Sequence, residues 1–122
     1  MSKYVDGFVI PIQKSRVADY RKIARKACKV WMDHGALAYV ECVGEELEPK
    51  GMPAGMPTFP KLARTKTDET VVFAWILYKS KAHRNAVNKK VMADTRITNG
   101  PTEMPFDMKR MSVGGFSVIV QN

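Results

Sequence analysis

The chain is poor in the residues that most often announce chemistry: two cysteines, Cys28 and Cys42, and two histidines, His34 and His83, in 122 residues. Two cysteines are too few for a disulfide framework, so both are expected as reduced thiols in a cytoplasmic protein. Neither histidine has a cysteine or carboxylate at metal-ligand spacing, so the sequence calls for no metal site and no cofactor. Long apolar runs are missing too. The longest, Val71 to Tyr78, is strand-sized, against roughly 20 residues for a membrane-spanning helix, so no membrane partner is expected. The opening Met-Ser-Lys-Tyr-Val-Asp lacks the apolar stretch of a secretory signal. GMPAGMP at 51–57 is glycine-rich but lacks the Lys-Ser/Thr ending of a phosphate loop.

What is present is the composition of one globular domain spanning 1–122, with 45% hydrophobic and 26% charged residues. The net charge of +8 is unevenly spread: segments 14–34 and 79–96 each carry +5, and the remainder is slightly acidic. Those two segments are the ones whose apolar spacing predicts helices. Val17, Tyr20, Ile23 or Ala24, Ala27, Val30 or Trp31, and His34 recur at helical intervals after Ser15, a candidate N-cap, and Gly35 supplies a stop. Ser80 is placed to cap the second helix, which carries Ala82, Ala86, Val87 and Val91.

Strands are predicted over 4–12, 36–45, 70–78 and 114–120, with long Pro-containing connections at 46–69 and 97–112. The order β-α-β-β-α-β is that of a ferredoxin-like α+β sandwich, in which two helices cover one face of a four-stranded antiparallel sheet. Alternation sorts the strand residues into two sets. One holds Tyr4, Asp6, Phe8, Tyr39, Glu41, Phe73, Trp75 and Phe116; the other is smaller and includes Val5, Gly7, Cys42 and Ala74. The smaller set suits packing under helices. The larger, aromatic set is expected to meet a second copy of the chain, closing a dimeric α/β barrel, because an apolar face of that size marks an interface.

Asp6 and Glu41 are then carboxylates on a mostly apolar surface, a costly placement unless they are paired or hydrogen-bonded. They are the candidate catalytic or ligand-orienting groups, with Phe73 and Trp75 to stack on a ligand and Arg96, Lys109 or Arg110 to neutralise an anionic group. The bland alternative is that those same cations hold Asp6 and Glu41 in structural ion pairs.

Four blocks, YVDGFV (4–9), ECVGEE (41–46), DETVVFAWILYKSKAHRNAVNKKVMAD (68–94) and MPFDMKRMSVGGF (104–116), resemble the bacterial family called domain of unknown function 1428. The resemblance implies a homodimeric α/β barrel of the ferredoxin-like class and brings no established activity. Val43 and Met108 depart from that family's pattern, where some relatives carry Trp and Gly. The sequence thus points to a small-molecule-binding or enzyme-like dimer whose barrel holds an anionic or aromatic ligand. The alternatives are a non-catalytic dimeric module, or an electrostatic nucleic-acid binder using the basic helices. Sheet-face RNA binding is disfavoured because the aromatics it needs are committed to the interface.

Overall fold

A computed structural model describes residues 2–122. Strand β1 (Tyr4–Gln13) passes through one 3-10 turn (Lys14–Arg16) into helix α1 (Val17–Asp33), followed by β2 (Ala38–Val43) and a short helix α2 (Phe59–Ala63). Strand β3 (Glu69–Tyr78), helix α3 (Lys81–Met92), a one-turn helix α4 (Thr95–Thr98) and β4 (Ser112–Ser117) complete the chain. The four strands form one antiparallel sheet in the order β2-β3-β1-β4. No helix among the described residues is long and apolar enough to cross a membrane.

Local chemistry accounts for the boundaries. Ser80 is extended, and its Oγ accepts from the backbone N–H of His83 at 3.1 Å, starting α3 as its sequence position predicts. Ser15 does not cap α1: it lies inside the 3-10 turn that runs directly into the helix, so Arg16 takes the cap position and makes no side-chain cap bond. Gly35 ends α1 at φ 108, a conformation that side chains with a Cβ resist. The fourth strand stops at Ser117 rather than 120, leaving Ile119 and Val120 almost wholly exposed.

The register corrects the expected faces. Residues directly opposite in antiparallel strands share a face. Asp6 lies opposite Ile76 and Phe8 opposite Ala74, while Glu41 also lies opposite Ala74. Asp6 and Glu41 therefore sit with Val72, Ala74, Ile76 and Tyr78, beneath α1 and α3. Phe73 and Trp75 point the other way, with Val5, Gly7, Cys42 and Phe116. The helices thus cover the set containing Asp6, not the smaller one. The physical reason is that 70–78 is apolar at almost every position, so its phase leaves no trace in the pattern, and a one-residue slip exchanges its faces.

The core lies between sheet and helices in two clusters. Ile10, Ile12, Tyr20, Ala24, Val72 and Ala74 form one. Val30, Ala36, Ile76, Tyr78, Val87 and Val91 form the other, and Phe8 packs against both. The opposite sheet face is covered only at one end, where Phe59 of α2 meets Phe73 edge-to-face with ring centroids 6.1 Å apart.

Candidate functional site

The helical layer does not close over the sheet. A cavity of about 970 Å³ lies between them, at the upper end of the range for small-molecule sites. Its existence follows from small residues: Ala24 and Ala27 of α1 and Ala74, Gly114 and Gly115 of the sheet all line it. Its wall opposite α1 comes from the 96–111 connection, including Met104, Phe106, Met108 and Met111. Methionines fill irregular space and adapt to different shapes, so this wall is suited to accommodating a guest.

Both singled-out carboxylates line the cavity, and each is held differently. Asp6, 5% exposed, accepts a charge-assisted hydrogen bond from Arg84 Nη1 at 2.7 Å. The Arg84 guanidinium in turn lies 4.9 Å from the centre of the Tyr4 ring. Tyr4 occupies the space that a side chain at Gly115 would fill, so the glycine in β4 permits this stack.

Glu41 has no cation within 4.0 Å among the described residues. Its two oxygens instead accept from two phenols, Tyr20 at 2.6 Å and Tyr39 at 2.8 Å. Burial, and then the hydrogen bond to and charge of Glu41, push the Tyr20 hydroxyl far above the ordinary 10.0. Burial, followed by the Glu41 charge, does the same to Tyr39. Both phenols therefore remain proton donors, and Glu41 keeps lone pairs free for a further donor. Asp6 and Glu41 are on strands separated by β3, roughly 10 Å apart, too far to share a proton.

A third polar group borders the cavity. Trp31 Nε1 donates to Tyr78 Oη and Asn88 Oδ1, both at 3.2 Å, and Tyr78 donates to Asn88 Oδ1 at 3.3 Å. Burial is the main cause of an upward shift at Tyr78, reinforced by the Asp6 charge.

Of the residues singled out from sequence, the cavity brings together Asp6, Glu41 and, at its edge, Arg96. Arg96 is already engaged with Asp33 at 2.8 Å and Asp94 at 2.7 Å, and Asp94 also pairs with His34 at 2.7 Å. Trp75 reaches the cavity only as part of the sheet floor, since its register sends the side chain to the other face. Phe73 is on that other face, 43% exposed. Arg110 binds Glu69 at 2.7 and 2.8 Å and the carbonyl of Arg64 at 2.8 Å. Lys109 is exposed outside the cavity. None of the three cations expected to pair with Asp6 and Glu41, Arg96, Lys109 and Arg110, does so: Arg84 and the two tyrosines take their place. Arg84 escaped the sequence reading because it is 78 residues from Asp6; the paired glycines of β4 were the one signal of close packing there. Cys42, expected beneath the helices, is exposed on the opposite face beside Phe73.

Residues 3–108 match the family described as "Protein of unknown function (DUF1428)". Over 119 residues the chain is 41% identical to "Uncharacterized protein YbaA" of Escherichia coli (strain K12), covering 97% of each. The protein of the same name from Shigella flexneri matches equally. Among solved structures the chain is similar to "De novo designed protein Foldit4" with a TM-score of 0.43 and 11% identity, covering 98% of this chain and 99% of that one. Similarity that weak bears on neither fold nor function.

Proposed function

The chain belongs to the DUF1428 family of proteins of unknown function, and from that premise we propose that it binds a small molecule in the cavity between sheet and helices. The observation that carries this reading is Glu41: a carboxylate in a largely apolar cavity, held by two phenols and no cation. The two phenols satisfy part of the acceptor capacity of Glu41 without neutralising its charge, which leaves the carboxylate open to a further donor. Glu41 then receives an O–H or N–H of the ligand, Trp31 and Phe106 supply aromatic surface, and the methionine-lined wall adapts to its outline.

In the same reading the fold is of the ferredoxin-like class, and the face opposite the helices pairs with a second copy to close a dimeric α/β barrel. Phe73 and Phe116, 43% and 60% exposed on that face, support this arrangement. The dimer and the ligand site therefore occupy opposite sides of the sheet.

A thermal-shift screen with metabolites tests the binding site. Hits are expected to raise the Tm of the wild type, to do so less in Glu41→Gln, and to have no effect in Ala27→Trp, which fills the cavity. Hits that stabilise Ala27→Trp as well as the wild type would place the ligand elsewhere. A wild type that no compound stabilises would leave a non-catalytic dimeric module as the reading.

A further inference from the structure

Two lysines on α1, Lys22 and Lys26, line the same cavity from its solvent edge. They are one helical turn apart, so they project side by side, a like-charged arrangement that costs an isolated helix stability. Nearby, Arg16 pairs with Asp19 at 3.0 Å and Lys29 with Asp33 at 3.4 Å, while Arg21 and Arg25, which also have no carboxylate within 4.0 Å among the described residues, lie outside this cavity. Among the described residues neither Lys22 nor Lys26 has a carboxylate within 4.0 Å. The remaining cations of the cavity are already committed, Arg84 to Asp6 and Arg96 to Asp33 and Asp94. The uncompensated positive charge of the site is therefore concentrated at one place on its rim.

Resting on the binding role proposed above, we infer that the ligand is an amphipathic organic anion. Its acidic group meets Lys22 and Lys26 at the rim, and its apolar body extends inward over Ile23 and Ala27 toward the methionine-lined wall. The interior carboxylates fix this orientation. Glu41 carries no counter-cation and would repel an anion placed deep in the cavity, whereas a neutral hydrogen-bond donor on the ligand body would be welcome there. Lysine suits this task because its flexible stem lets the ammonium follow a head group without demanding bidentate geometry.

A matched pair of fluorescent probes tests the inference: 8-anilinonaphthalene-1-sulfonate, an apolar anion, and N-phenyl-1-naphthylamine, the same skeleton without the sulfonate. The full chain is expected to bind the sulfonate more tightly than the neutral probe, with an advantage that shrinks as salt is raised. The double variant Lys22→Gln, Lys26→Gln should weaken sulfonate binding by about tenfold at low salt and leave the neutral probe unchanged. Both lysines are exposed, so this variant is expected to fold, which circular dichroism checks. Ala27→Trp, or Met104→Trp should the first fail to fold, should abolish binding of both probes. Equal affinity for the two probes, or a sulfonate affinity indifferent to the lysines, overturns the anionic head group while leaving the cavity as a binding site. Binding of both probes that survives the cavity-filling variants overturns the site itself, and the head-group inference with it.

Discussion

Arg84 Nη1 stands 2.7 Å from Oδ1 of Asp6, joining α3 to the first strand across the layer interface. Asp6 is 5% exposed, so the guanidinium is what makes its position tolerable. Removing one partner of a buried pair leaves an uncompensated charge, whereas removing both charges together costs much less. Arg84→Met is expected to lower stability by about 3–5 kcal/mol, and the double variant Asp6→Asn, Arg84→Met to recover most of that loss. Urea unfolding of the four proteins in this cycle measures the coupling; additive losses would mean that the pair does not act as a unit.

Three phenols, Tyr20 and Tyr78 buried and Tyr39 half-buried, make the fold sensitive to alkali. Tyr20, Tyr39 and Tyr78 all have hydroxyls held well above the ordinary 10.0, chiefly by burial. A raised value means that the folded state retains protons that the unfolded state releases. The associated stability is therefore complete below pH 10 and falls as pH climbs from there toward the raised values. Each such tyrosine steepens the decline by up to about 1.4 kcal/mol per pH unit. Denaturant melts between pH 9 and 12 are expected to show this slope, and Tyr39→Phe to make it shallower. An unchanged slope in Tyr39→Phe would show that its hydroxyl titrates freely.

Acid acts through a different pair. Two hydrogen bonds from Arg110 hold the Glu69 carboxyl down at about 2, against 4.5 for the free group. A depressed carboxylate contributes stability above its unfolded value, and that contribution is lost as pH falls through the folded one. The window is thus from pH 4.5 down to about 2. Arg110 also caps the carbonyl of Arg64, so this pair fastens the end of α2 to the start of β3. Glu69→Gln is expected to be less stable than the wild type at pH 6 and to approach it near pH 2. Parallel loss of stability by the two proteins across that range would remove Glu69 from the account.

How far the sequence could have led is visible in individual elements. One cap and one stop are local and were readable, Ser80 and Gly35 acting through neighbours three or four residues away, whereas Ser15 is displaced from its expected cap position by the 3-10 turn that leads into α1. All four strands and both long helices are where apolar periodicity predicts them, to within a few residues. The faces were not readable, because 70–78 offers alternation no purchase, and the phase of β3 decides which side of the sheet holds Trp75. Asp6 and Glu41 could be singled out as polar residues among apolar ones. Their partners could not, since Arg84 and Tyr20 approach them only through tertiary packing. The cavity was hidden for the same reason: alanines at 24, 27 and 74 read as ordinary small core residues until two layers are seen failing to meet over them.

The sheet face away from the helices yields the last prediction. Phe116 lies opposite Val5 and folds toward β1, where a side chain at Gly7 would approach its ring at 3.1 Å. Gly7 is opposite Trp75, so the Phe116 ring, 60% exposed, sits near the centre of the apolar surface rather than at its margin. Truncations at the centre of an interface cost far more than those at the rim, and a charge there costs more still. Phe116→Asp is expected to convert a dimer into a monomer by sedimentation velocity at micromolar concentration, with far-UV circular dichroism unchanged because the ring supports no core cluster. Ligand binding should survive the substitution, since the cavity lies on the other side of the sheet. A wild type that sediments as a monomer would remove the dimer, and the barrel with it, while leaving the Glu41 site to be judged on its own.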